Sequence, residues 1–325
     1  MAKDRPSGGD AEHSLAIRAA WLHYVGGMRQ AEVAKRLGVP SVKAHRLIAR
    51  AVAEGAVKVS IEGEIIECIE LEQALCTRFG LETCEVAPDL DEEGLPLRAL
   101  GLAGASRLRR WLESGEELTI GIGHGRTLAE AVRAMPRFGT TGLSFVSLLG
   151  GLTRNFAANP HDVMHLLAEK TGARAYVMPV PFFANTTEDR EVLLSQRGVA
   201  EVFQLAEAAP LKIVGIGTVE AETQLVTSGM IEPSEIEAIS GAGGVGEMLG
   251  HFFDPDGNCL ETPLTSRTLA VSLDETREDR IIALAGGGEK IDAIRAVLKS
   301  GRLSGIITDE RTARALLDDA LTKPR

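Results

Sequence analysis

Four cysteines in 325 residues, none of them spaced as C-x-x-C, leave this chain without the signature of a zinc finger or a dithiol redox pair. Cys68, Cys76 and Cys84 lie eight residues apart and, with Cys259, read as reduced, half-buried thiols. No window approaches the ~18 uninterrupted apolar residues of a membrane span, and the polar start "MAKDRPSGGD" has no apolar signal core. A cytoplasmic protein is expected. There is no G-x-S-x-G elbow, so a hydrolytic triad is not indicated. Short-period repeats and low-complexity tracts are absent as well, and nothing in the chain calls for a cofactor.

What is present is an ordinary globular composition, 44% hydrophobic and 25% charged, on a chain long enough for two domains. The net charge of −11 is unevenly spread. Residues 1–58 carry ten Lys/Arg against five Asp/Glu, and the remainder carries 25 against 41. An acidic body repels phosphate backbones, so any nucleic-acid contact belongs to the small basic head.

In that head, "AEHSLAIRAAWLHYV" places Ile17, Trp21 and Tyr24 at i, i+4, i+7, with Leu22 and Val25 beside them, which predicts an amphipathic helix ended by Gly26-Gly27. A two-turn helix from Gln30 to Leu37 follows. Gly38 supplies a tight turn, and Pro40-Ser41 opens a second helix with Ala44, Leu47, Ile48 and Ala51 facing inward. That is the spacing of a helix-turn-helix. Ser41, Lys43, His45, Arg46 and Arg50 lie on the outward face that would meet a major groove. Boundaries of 1–60 for the head and 61–325 for the body follow, with "AVKVSIEGEIIECIE" read as extended linker or strand and "LEQALCTRFGL" as a helix.

Beyond the head, helical and apolar segments alternate, which predicts an α/β domain with a mostly parallel sheet. Strand signals run through "ELTIGIG", "LSFVSLLGG", "RAYVMPVP", "LKIVGIG", "TLAVSL", "IIALAGGG" and "GIITD". Four segments end in glycine-bearing loops: "GIGHGRT" (121–127), "LLGGLTRN" (148–155), "GIGT" (215–218) and "AGGGEK" (285–290). Ligands of open parallel sheets bind beyond the carboxyl ends of the strands, where glycine lets the backbone approach. The polar residues nearest these loops are His124, Arg126, Thr127, Arg154, Asn155, Asn159, Glu247, Lys290, Thr308 and Asp309. Amides, a hydroxyl, one carboxylate and one ammonium suit a polyhydroxylated or anionic small molecule.

Two other patterns point elsewhere. Gly241, Gly243 and Gly246 have the G-x-G-x-x-G spacing of a dinucleotide turn, but "PSEIEAIS" before them reads as a helix and "VGEMLGHFF" after them is a poor crossover helix. In "HDVMH", His161 and His165 are spaced to grip a metal, yet "ANPHDV" is a helix start with Asn159 as N-cap, and Asp162 stands where a zincin needs Glu. Neither a nicotinamide cofactor nor a metal is expected.

Taken in order, "MRQAEVAKRLGVPSVKAHRLIARA", "LTIGIGHGRTL", "SLLGG", "VMPVP", "VGIG", "GGVGEMLGHFFDPDG", "IIALAGGGEKIDAIRAVL" and "GIITDERTARALL" resemble the SorC/DeoR-type sugar-binding transcriptional regulators over nearly the whole chain. The resemblance implies a bacterial repressor or activator, usually a homotetramer, that binds operator DNA. Its effector domain would be related in fold to sugar-phosphate isomerases and CoA transferases, and its effector would be a sugar, a polyol or a sugar phosphate. By the same resemblance Gly123, Gly125 and Thr127 match the first effector-binding loop, with Arg126 among them, and Asn159 matches a polar ligand position on the following helix. Glu247 matches the acidic residue that holds sugar hydroxyls, and Lys290 the basic residue after the glycine run. The chain departs from the pattern in having Leu148-Leu149 where phosphosugar-binding relatives can place Arg, and "PSVKAHR" where relatives favour Ser-Arg-Pro-Thr-Val-Ser-Arg. An isomerase-like enzyme with an added head is the alternative; it would need a poised base, for which Glu247 is the candidate, and no second acid-base partner stands out. A protein-binding scaffold would show no affinity for DNA.

Overall fold

The computed structural model describes residues 8–318 apart from 55, 58–64, 114–117, 138, 140–141, 152–162 and 274–278. Two compact units emerge, Met1–Gly63 and Glu64–Arg325. Among the described residues no helix is long and apolar enough to cross a membrane.

The first unit holds α1 (Gly8–Ala20), a π-helical turn at Trp21–Val25, α2 (Gln30–Leu37) and α3 (Ser41–Ala53). Gly38 adopts the left-handed conformation (φ 65°) that lets the chain leave α2 and enter α3 within three residues. The core of this unit is made of small and aliphatic side chains: Ala16, Ala19, Ala20 and Leu22 meet Val33, Ala34, Ala44, Leu47, Ile48 and Ala51. The apolar face read from Ile17, Trp21, Tyr24 and Val25 is therefore not the buried one. All four are exposed, Trp21 at 59%. The reason is steric: alanines on α1 allow close approach to the alanines of α3, where indole and phenol rings would hold the helices apart.

In the second unit, α4 (Ile66–Phe79) begins inside the stretch read as linker or strand. The helices that follow are α5 (Leu97–Glu113), α6 (Arg126–Ala134), α7 (Met164–Thr171), α8 (Thr187–Ser195), α9 (Arg197–Glu207), α10 (Gln224–Thr227), α11 (Pro233–Gly241), α12 (Ile291–Lys299) and α13 (Glu310–Leu317). Seven parallel strands form the main sheet: β1 (Thr83–Ala87), β2 (Leu118–Ile122), β3 (Leu143–Ser147), β4 (Arg174–Tyr176), β5 (Leu211–Val214), β10 (Arg280–Leu284) and β11 (Gly305–Asp309). Their order is β1-β11-β10-β5-β2-β3-β4. Strands such as "LKIV" and "GIITD" are buried along their whole length, as expected where helices cover both faces of a parallel sheet. Two large apolar clusters fill the unit, and Phe145, Phe182, Phe183, Phe252 and Phe253 are among the largest fully buried side chains. Trp111 on α5 is half-buried and lies over the Arg107 guanidinium at 5.0 Å.

A second, antiparallel sheet joins β6 (Gly217–Thr218), β7 (Gly246–Met248), β8 (His251–Phe253) and β9 (Cys259–Leu260) in that order. The G-x-G-x-x-G stretch is thus a helix end followed by a hairpin, with no strand before it and no helix after it, which rules out a dinucleotide turn. "TLAVSL" does not form a full strand. It contributes only isolated bridges, Leu149 to Ala270 and Phe183 to Thr268.

Candidate effector site and DNA-reading face

Sheet order determines which loops can meet. β10, β5 and β2 are consecutive neighbours, so the loops leaving their carboxyl ends, Gly286–Lys290, Gly215–Thr218 and Gly123–Arg126, emerge side by side. β6 continues directly from the middle loop and pairs with β7, setting Gly217 opposite Glu247. A cavity of about 350 Å³ results, lined by Gly125, Arg126, Thr127, Glu247 and Lys290 among others. Residues far apart in sequence reach one site through this register.

Glu247 lies on β7, not in a loop, and is 5% exposed. One oxygen accepts the Gly250 N–H at 2.6 Å. The other faces Gly217, where even a Cβ atom would come within 2.7 Å of it. Glycine at 217 is what lets the carboxylate occupy this place. Burial pushes the Glu247 carboxyl up to about 7, against the opposing pull of the Gly250 N–H and the Lys290 ammonium. Lys290 donates to the Ile216 carbonyl at 2.7 Å. Burial, with the Arg126 charge, draws its ammonium down to about 8, while Glu247 and Glu289 hold it up. The cavity therefore pairs a carboxyl and an ammonium that burial shifts toward their neutral forms.

Gly125 opens α6, and the first backbone N–H to bond within that helix belongs to Ala129, so the preceding N–H groups of its first turn remain available to a ligand. The Thr127 hydroxyl donates to the Leu284 carbonyl at 3.0 Å and keeps only its acceptor capacity for anything else. Gly123 donates its N–H to the Ile213 carbonyl at 2.8 Å and does not line the cavity. His124 does, with its ring edge-on to Phe182 at 5.2 Å. Asp309 accepts from the Gly287 N–H at 3.1 Å and so steadies the glycine loop ahead of Lys290, while Thr308 is fully buried. In the 148–155 loop, Leu148 and Leu149 belong to the core and do not reach the cavity. Asn159, Arg154, Asn155 and His161 lie outside the described residues. Glu220, Glu222, Thr223 and Gln224 also line the cavity and were not singled out from sequence. Their signal was the polar run directly after "GIGT". Among the described residues no three His, Cys, Asp or Glu side chains are grouped as a metal would require.

On α3, Ser41, Lys43, His45 and Arg46 are exposed, as is Val42. Arg50 is turned to its own unit: it bonds Glu54 at 2.6 Å and lies 3.2 Å from Glu12. His45 lies 3.3 Å from the Gln30 side-chain oxygen, which draws it toward the start of α2.

The family described as "Putative sugar-binding domain" matches residues 63–318, all but the last seven residues of the sheet-bearing unit. The chain is 69% identical over 308 residues to the erythritol catabolism regulatory protein EryD of Brucella abortus, covering 95% of this chain and 98% of that protein. The chain belongs to the SorC/DeoR-type sugar-binding transcriptional regulators. Another regulator of this family, LsrR of Klebsiella pneumoniae, is 32% identical over 94% of both chains. The crystal structure of the full-length sorbitol operon regulator SorC from Klebsiella pneumoniae shares the fold with a TM-score of 0.68 at 24% identity, over 95% of this chain and 100% of that one. All three relatives are named as regulators, in keeping with the regulator reading over the isomerase-like alternative. As a SorC/DeoR-type protein, the chain is a DNA-binding regulator of carbohydrate or polyol catabolism that answers to a sugar-type effector.

Proposed function

We propose that this regulator controls a polyol catabolic operon and that its effector is a four-carbon polyol such as erythritol, or a close relative, held in the cavity at the ends of β2, β5 and β10. The observation that carries this reading is the convergence of Glu247 and Lys290 in one buried polar cavity. Glu247 accepts ligand hydroxyls; Lys290, Arg126 and the first-turn N–H groups of α6 donate to ligand oxygens. The 69% identity to an erythritol regulator supports the size and class of the ligand. Asn159 is assigned to the same site on family resemblance alone. Ser41, Lys43 and Arg46 contact operator DNA, with His45 and Arg50 in supporting positions at the edge of that face. The working form is a homotetramer, and effector binding shifts its equilibrium between arrangements that match or mismatch paired operator half-sites.

The test is fluorescence anisotropy of a labelled duplex selected by the wild-type protein from a random pool, titrated with erythritol. The wild type is expected to change its DNA affinity. Lys290→Ala is expected to bind the DNA as before and to require about tenfold more erythritol, since one charge-assisted hydrogen bond is lost. DNA binding that ignores erythritol and its close polyol relatives would refute the effector assignment, and a particle lighter than four chains in light scattering would refute the tetramer.

A further inference from the structure

Val42 is 74% exposed, more than any other large apolar side chain among the described residues. It is the second residue of α3, between Ser41 and Lys43, on the side of the helix away from the buried Ala44, Leu47, Ile48 and Ala51. No packing within its unit explains it, and a β-branched side chain is a poor choice for an exposed helical position, where it loses χ1 freedom without burying anything. The first turn of the second helix is where a helix-turn-helix meets base edges. In the major groove the one apolar feature of any base pair is the thymine 5-methyl group.

We infer that Val42 is a specificity-determining residue that packs its methyl groups against the 5-methyl of a thymine in each operator half-site. The inference rests on the reading of α3 as the DNA-reading helix. Val42 and Arg46 stand one turn apart on the same face, with an axial separation of ~6 Å. Base pairs are stacked at ~3.4 Å. A guanine read by Arg46 through O6 and N7 therefore lies within about two base pairs of the thymine read by Val42. Arg50, tied to Glu54 and Glu12, does not compete for that step. With Lys43 on phosphate, the first two turns of α3 supply one apolar reader, one guanidinium reader and one backbone anchor.

The experiment begins with selection of duplex DNA from a random pool by the full-length wild-type protein, followed by replacement of each selected thymine with deoxyuridine, which removes only the methyl. One position per half-site is expected to lose affinity about fourfold, the worth of one buried methyl group, and about fifteenfold when both half-sites are changed. Val42→Ala is expected to fold as the wild type, because the side chain is mostly exposed, and to be insensitive to that deoxyuridine. Val42→Thr, which keeps one γ-methyl, should fall between them. Equal deoxyuridine penalties in wild type and Val42→Ala, or no sensitive thymine at all, would overturn the assignment. Failure to enrich any sequence would instead overturn DNA reading by this face, and the role of Val42 with it.

Discussion

Replacing Glu247 by Gln is expected to make the empty protein more stable and the regulator less responsive. The carboxyl titrates at about 7 in the folded chain against an ordinary 4.5, because burial penalises its ionised form. A folded value above the unfolded one means that the favourable contribution is complete below about pH 4.5 and is lost as pH rises through about 7. At pH 8 the ionised carboxylate thus costs about 3 kcal/mol. Gln removes that cost and keeps an oxygen for the Gly250 N–H, but it leaves the Lys290 ammonium without a facing carboxylate, so a net gain of about 1–2 kcal/mol remains. For a unit of this size that is a rise in Tm of about 3–6 °C. Calorimetry of both proteins is expected to show nearly equal Tm at pH 5 and a gap that opens toward pH 8, while erythritol affinity falls about tenfold. A variant that melts lower at pH 8, or a gap independent of pH, would refute the argument from burial.

Gly217→Ala places a Cβ within 2.7 Å of the Glu247 carboxylate, so it should abolish the effector response while operator affinity stays within about twofold of wild type, as anisotropy would show. Leu249, at the turn of the β7–β8 hairpin, has φ 52°, a conformation that strains a side chain with a Cβ by about 1 kcal/mol. Leu249→Gly relieves the strain and Leu249→Ala keeps it, so denaturant unfolding is expected to rank Gly above Ala by about 1 kcal/mol, the reverse of the usual order within a sheet.

Much of the architecture could be read from sequence because its signals are local. Gly38 between two short amphipathic segments specifies the turn of the head, and apolar runs ending in glycine specify strands with open carboxyl ends. The face of α1 could not be read in the same way. Ile17, Trp21 and Tyr24 share one helical stripe, Ala16, Ala19 and Ala20 another, and only the close fit to α3 decides between them. The sequence marks Glu247 as a candidate acceptor, but its burial is not legible there. "GEM" is too short to show a strand period, and the residue is enclosed by pairing with Gly217, thirty positions earlier. The convergence of the 123, 215 and 286 loops depends on β2, β5 and β10 being neighbours, an order that no local pattern encodes. The lining residues Glu220 and Glu222 are not legible as such, because acidic residues in a turn look like solvated surface.

The misplaced stripe on α1 has an optical consequence. The chain has two tryptophans, and the structure gives one to each unit: Trp21 in water on the head, Trp111 half-buried beside a guanidinium in the sheet-bearing unit. Their emission should differ, the exposed indole being the redder and the more readily quenched by a dissolved collider. With Phe in place of Trp111, every photon of indole fluorescence would come from the DNA-binding head, so the melting of that unit could be watched alone in the intact regulator, without a dye.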